Sequence, residues 1–225
     1  MQKNKFTTYL LYAIGEIVLV VIGILIALQI NNWNTIKKNV ALEKELLSQM
    51  KEELEGDLIM LREAKGMSEV ALAGGNFILK AVREKRHMDD SLATHFSYTT
   101  IPFVFFVPRT STYENLKSLG FQFISNKKLR NTIQELYTTF EKAQNGQRIF
   151  QEEFLITINL YSLEHFDQSN RNRPFDWNAL IEDKYFANLM ANYVEVHGMM
   201  LEEILTSVEE NIKHAIEEIE AEISN

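Results

Sequence analysis

The sequence predicts an all-α protein in which a single N-terminal transmembrane helix continues into an antiparallel helical bundle. Three observations carry that prediction. Residues 9–30, YLLYAIGEIVLVVIGILIALQI, are apolar apart from Gly15, Glu16, Gly23, Gln29 and the tyrosine hydroxyls. Three prolines and nine glycines in 225 residues, set among long stretches of Glu, Lys, Leu, Ile and Ala, favour helix. Beyond residue 34, apolar residues recur at helical spacing in four long segments.

The anchor is fixed by its length. A helix rises about 1.5 Å per residue and the hydrocarbon core is about 30 Å thick, so a run of this size spans it. Export-signal cores run to only about 7–15 residues and end at a small-x-small cleavage site. This one is longer and ends Ala27-Leu28-Gln29-Ile30-Asn31. A core helix of a soluble protein would rarely be this apolar on every face. The expected division is therefore a short cytoplasmic N-terminus (residues 1–8), a transmembrane helix (9–30) and an extramembrane helical bundle domain (31–225). Trp33, within Asn31-Asn32-Trp33-Asn34, serves as the interfacial anchor, because an indole with an N–H donor suits the headgroup level.

From Thr35 to about Lys65 the chain becomes amphipathic, with Val40, Leu47, Leu54 and Leu61 spaced by seven. Uninterrupted, these ~30 residues would reach about 45 Å beyond the membrane. Gly66 is the expected break before a second helix, Met67–Arg86, whose basic last turn (Arg83, Lys85, Arg86) complements the helix dipole. From His87 to Thr110 no helical pattern is seen, and IPFVFFVP between Pro102 and Pro108 reads as extended, with Phe103, Phe105 and Phe106 available for burial. Ser111 or Thr112 can cap a short helix that stops at Gly120, Glu114 lying at capping-box distance from Ser111. Ser125 or Asn126 then starts a long helix through Leu129, Ile133, Leu136, Phe140, Phe154 and Tyr161, with a kink near Gly146. Asn170–Pro174 breaks it. After a connection carrying Trp177, a last helix runs from Ala179 or Lys184 to Ser224 along Leu201, Leu205, Val208, Ile212, Ile216, Ile219 and Ile223. Antiparallel packing covers each of these stripes; a coiled-coil dimer built on the long helices is the alternative.

Composition excludes several functions. The net charge is −8, and residues 39–225 hold 19 Lys and Arg against 30 Asp and Glu, a net −11. Such a domain lacks the clustered basic residues that nucleic acid requires. With no cysteine there is no disulfide, thiolate nucleophile or zinc-thiolate site. No nucleotide-binding loop, nucleophile elbow or solenoid repeat occurs. Catalytic, cofactor and metal residues are accordingly expected to be none. The one Glu-x-x-His match, Glu84 to His87, lacks the second motif a di-iron bundle needs, and His165, His197 and His214 show no paired ligand spacing. The acidic run Glu217, Glu218, Glu220 and Glu222 reads as a solvated helix face.

Within the anchor, Ala13, Val20 and Ala27 are spaced by seven, as are Glu16, Gly23 and Ile30 three residues later. The six share one stripe. Small residues let helix backbones approach, so this stripe is the expected membrane-helix interface, for a second copy or a membrane-protein partner. Glu16 lies about 10 Å into the segment. An intramembrane carboxylate is costly and faces either a partner or a water-filled path, so Glu16 either bonds across an oligomer seam or serves as a proton or cation site.

The segment GEIVLVVIGILIALQINNWN (residues 15–34), with TYENLKSLG (112–120) and FISNKKLRNTIQELY (123–137), resembles a family of uncharacterised single-anchor membrane proteins abundant in Bacteroidota, known only as a domain of unknown function. The resemblance implies a one-span envelope protein with a helical extramembrane domain, and it brings no catalytic residues. Members usually begin with a longer basic segment; here only Lys3 and Lys5 precede the span. Flanking charge is nearly balanced, with Lys37, Lys38 and Lys44 on the far side. The family habit and the acidic distal domain favour the inner membrane with a periplasmic C-terminal domain. The expected function is a non-enzymatic oligomeric or accessory subunit of a cell-envelope complex, in contact with membrane lipid and not with nucleic acid. A sensory or ligand-binding bundle, or an ion-coupled membrane subunit using Glu16, are the alternatives.

Overall fold

The computed structural model describes residues 3–99 and 106–224. The architecture is all-α, as expected. Helix α1 (Lys3–Arg83) is followed by α2 (Asp90–Thr99), α3 (Ser111–Leu119), a 3₁₀ turn (Phe121–Phe123), α4 (Lys127–Ile149) and α5 (Ile156–His165). A two-residue hairpin follows, β1 (Phe166–Asp167) antiparallel to β2 (Arg173–Pro174), and then α6 (Trp177–Leu180), α7 (Lys184–Met199) and α8 (Thr206–Ser224). The chain divides into two compact units, Met1–Leu47 and Ser48–Asn225.

In the first unit α1 is the whole of the described structure, and every residue from Tyr9 to Leu42 is exposed. The same helix forms a wall of the second unit. There Met50, Leu54, Asp57, Leu61, Ala64, Ser68, Ala71, Gly75, Ile78 and Val82 are buried at alternating steps of four and three. A seven-residue repeat kept over this length favours left-handed winding against its neighbours. Gly66 does not break the helix: packing on either side of it outweighs the propensity cost of about 1 kcal/mol. The end comes at Lys85, which adopts φ 49°, with Arg86 N–H bonded to Ala81 C=O (2.9 Å) and Lys85 N–H to Val82 C=O (3.2 Å), a Schellman closure.

Two glycines of α1, Gly66 and Gly75, lie in different surroundings. Gly66 has open space where a side chain would start, whereas a Cβ on Gly75 would stand 2.8 Å from the Tyr193 ring of α7. Gly66→Ala is therefore expected to raise stability by about 0.5–1 kcal/mol through helix propensity. Gly75→Ala should lower it by about 1–3 kcal/mol through overpacking, despite the same propensity gain. Chemical denaturation of the full chain in detergent checks the pair, and equal effects at both sites would contradict the close approach.

Helix α8 runs antiparallel to both α1 and α4. Lys51 meets Glu220 (2.7 Å) and Lys65 meets Glu209 (2.6 Å), so partner numbers fall as α1 advances. On α4, Thr132 Oγ1 donates to Glu218 (2.7 Å), Lys128 pairs with the same carboxylate, and the Asn126 amide donates to Glu222 (2.6 Å). The acidic run is thus only partly a solvated face. Glu217 is exposed, but three of its neighbours tie α8 to α1 and α4.

Two helices pass through π turns, Phe150–Leu155 between α4 and α5 and Met200–Leu205 between α7 and α8. The kink expected at Gly146 gives way to the first of these. The second carries α7 into α8, with Met200 and Leu205 buried at its two ends. Further along α8, Ala215 is fully in the core, with Ile216 half-buried beside it.

Helix α2 occupies part of the stretch read as patternless. Asp89 caps it, its carboxylate accepting the Leu92 N–H at 2.7 Å, and Leu92 and Phe96 are buried one turn apart. Two apolar residues were too few to register as a period. The extended reading of IPFVFFVP falls largely on residues outside those described, Phe103 and Phe105 included; Phe106 is buried as expected.

Candidate functional site

The apolar helix presents its six stripe residues, Ala13, Glu16, Val20, Gly23, Ala27 and Ile30, at steps of three and four on one exposed face. Gly23 has nothing within 4 Å of where a Cβ would stand. Ala13, Glu16, Ile17, Val20 and Val21 line a shallow groove, so Glu16 is set among apolar side chains on this face. Trp33 is exposed on the same helix. Residues Tyr9 onward contain a window of mean hydropathy 2.7 with none of it buried, which distinguishes this segment from the core helix of a soluble domain.

In the second unit the most concentrated polar chemistry lies along the strap that leads into α3. Gln147, buried on α4, accepts the Phe106 N–H (2.7 Å) and donates to the Phe106 C=O (3.1 Å), closing a two-bond ring on the backbone of one residue. Asp57 of α1, whose side chain is fully buried, accepts the Arg109 N–H at 3.0 Å, with the Arg109 Nε at 3.9 Å. One turn earlier Glu53 takes the Ser111 hydroxyl and the Thr112 N–H (3.3 Å). Helix α3 therefore begins on a carboxylate borrowed from α1. The expected Ser111 cap is redirected outward, and Thr110 makes no side-chain cap bond. The stop at Gly120 is as expected, with φ 90°.

Tyr137 of α4 completes this cluster. Its hydroxyl donates to the Arg109 C=O at 3.4 Å, and its ring stacks on Tyr113 of α3 with centroids 3.7 Å apart. Burial pushes the Tyr137 hydroxyl well above its ordinary value. Burial also raises the Asp57 carboxyl, to about 6, against the opposing pull of the Arg109 N–H and guanidinium. Glu209 goes the other way, held down at about 2 by Lys213 and Lys65.

A second cluster is apolar. Phe96, Phe166, Trp177 and Phe186 pack edge-on or tilted between α2, the hairpin, α6 and α7, and Trp177 Nε1 donates to the Arg86 C=O at 2.7 Å. A small cavity beside them is lined by Phe96, Tyr161, Phe166, Phe186 and Tyr193, with Ser162 and Asn172 as its polar contributions. The Tyr161 hydroxyl donates to Asp183 (2.9 Å), which also caps α7. Arg171 and Asn172 turn the hairpin in the left-handed region, φ 54° and 55°.

The histidines are dispersed. His197 is buried between Tyr193 and Phe150, its Nδ1 2.9 Å from the Tyr193 C=O, and burial lowers it to about 4, so it is neutral at physiological pH. His165 stacks on Tyr161, and His95 on Phe77. Among the described residues no group of three His, Asp or Glu side chains is placed to hold a metal ion. The strap cluster had no signature in the sequence, because Glu53, Asp57, Arg109, Tyr137 and Gln147 come from three separate segments. One signal was present: an aspartate standing in a seven-residue apolar repeat.

An all-α protein with, among the described residues, one helix long and apolar enough to cross a membrane is the class that these features define. The chain belongs to a family of unknown function, DUF6090, which matches residues 16–195. The match opens at Glu16 and takes in the strap, α4 and the hairpin before ending within α7. No curated protein and no solved structure matches the chain.

Proposed function

We propose that this protein works by association: a single-pass inner-membrane protein with a periplasmic helical domain, acting as a non-enzymatic oligomeric or accessory subunit of an envelope complex. The observation that carries the reading is the wholly exposed apolar helix with its stripe of Ala13, Glu16, Val20, Gly23, Ala27 and Ile30. A lipid-facing helix has no need of a sided arrangement of small residues around a carboxylate, whereas a helix seam does. The buried polar side chains of the bundle support it too. Asp57 and Gln147 spend their bonds on backbone groups of the strap. Such bonding suits a scaffold.

The cysteine-free sequence makes a direct test available, since each single-cysteine variant reports on one position. In native membranes, Ala13→Cys, Val20→Cys and Ala27→Cys are expected to form oxidative crosslinks, to a second copy or to a discrete partner, while Leu19→Cys and Ile26→Cys are not. Uniform absence of crosslinks, together with a monomer on sizing in mild detergent, would overturn the association reading. Loss of the crosslinks in a Glu16→Gln background would place the carboxylate at the seam. A C-terminal reporter active only in the cytoplasm would reverse the orientation.

A further inference from the structure

Asp57 is out of place by the logic of its own helix. It occupies a position of the buried repeat between Leu54 and Leu61, where an apolar side chain would pack without penalty. A buried carboxylate is tolerated only with compensation. Here compensation comes from one segment, the strap, through the Arg109 N–H (3.0 Å) and the more distant Arg109 guanidinium (Nε at 3.9 Å), which is half exposed. Gly56 makes that approach feasible: a Cβ there would stand 2.0 Å from Arg109 Nη1. Glu53 holds the next turn of the strap, so both carboxylates act on Arg109–Thr112.

We propose that the strap is tightened by acid: uptake of a proton by Asp57 clamps Phe106–Thr112 and the start of α3 more firmly onto α1. The reason is the imbalance at Asp57. Ionised, it is fully buried against a single backbone donor and a guanidinium that solvent screens; neutral, it keeps an oxygen to accept the Arg109 N–H and sheds the cost of burying charge. Opening the strap exposes Asp57 to water, where ionisation is cheap. The proton therefore binds the closed state more tightly than the open one. The other titratable groups facing this point are Glu53 on α1, Arg109 on the strap and Tyr137 on α4, with Tyr113 of α3 stacked on Tyr137. The buried face of α8 is apolar, Val208, Ile212, Ala215 and Ile219. Glu53 adds negative charge, which favours the neutral form of Asp57 further.

The sign follows from linkage. Burial raises Asp57 from 3.8 to about 6, so the closed state gains as pH falls through 6 and loses that gain as pH rises. Between pH 7.5 and 5 the closed-to-open ratio should rise about tenfold. Hydrogen exchange of the full chain in detergent micelles, corrected for intrinsic exchange rates, reads this as protection at the Arg109 and Thr112 amides. Protection is expected to increase about tenfold on acidification, its rise setting in at the pH where the carboxyl ¹³C signal of Asp57 titrates. In Asp57→Asn, which mimics the neutral form, it should be flat across the range. Protection that stays level or falls with acid, an Asp57 titration near the ordinary carboxyl value, or a slope that persists in Asp57→Asn would each overturn the proposal. The coincidence of that onset with the Asp57 titration in the unmodified chain decides the matter even if Asp57→Asn does not fold.

Discussion

Trp177→Ala is expected to destabilise the helical domain by about 3–5 kcal/mol, among the largest effects available to a single substitution in this chain. The indole is nearly fully buried, where it meets Phe96 at 5.7 Å and Phe186 at 6.3 Å between ring centroids, both edge-on. Its Nε1 also satisfies the Arg86 C=O just beyond the end of α1 (2.7 Å). Alanine would leave a cavity among three helices and an unpaired carbonyl. Trp177→Phe separates the two contributions: it keeps most of the volume and loses the donor, for an expected cost of about 1–3 kcal/mol. Denaturant unfolding of the full chain in detergent measures both. If alanine and phenylalanine cost the same, the hydrogen bond and not the packing carries the site.

Gln147→Leu comes next, at roughly 2–5 kcal/mol, because it strands both backbone polar groups of the buried residue Phe106. Gln147 answers the Phe106 N–H and C=O together, and no aliphatic side chain of similar size can answer either. The loss should be local as well as global. The Phe106 ring sits edge-on against Phe140 at 5.5 Å and should lose its order with the strap, so exchange at the Phe106 and Arg109 amides should rise more than exchange in α8. A uniform rise across all helices would mean that the strap unfolds only with the whole domain.

Much of this architecture can be read from residue spacing, because the forces involved are periodic and local. Residues 9–30 declare a span by length, the Leu47-Leu54-Leu61 repeat declares a buried helix face, and Gly120 declares a stop. Where spacing misled, a neighbour had intervened. Gly66 reads as a break, yet packing through Ala64 and Ser68 carries the helix on. Helix α2 is too short for a period to show, and its stability comes from the Asp89 cap and the aromatic cluster that receives Phe96. The stripe of α8 is nearly right: Leu205, Val208, Ile212 and Ile219 are buried as their spacing suggests, but Ala215 and not Ile216 completes the buried face.

The helix apolar enough to cross a membrane and the candidate stripe of Ala13, Glu16, Val20, Gly23, Ala27 and Ile30 are wholly matters of sequence, since length, hydropathy and helical period suffice to place them and no tertiary contact covers them. The strap is the opposite case. Glu53, Asp57, Arg109, Tyr137 and Gln147 are unremarked as residue types, and their bonds join positions separated by 28 to 59 residues of chain. Only the folded bundle decides that Asp57 is buried, that Gly56 leaves room for a guanidinium, and that α3 starts on another helix's carboxylate. Periodic burial is encoded residue by residue, whereas the electrostatic environment of a buried charge is set by whatever the rest of the chain brings against it.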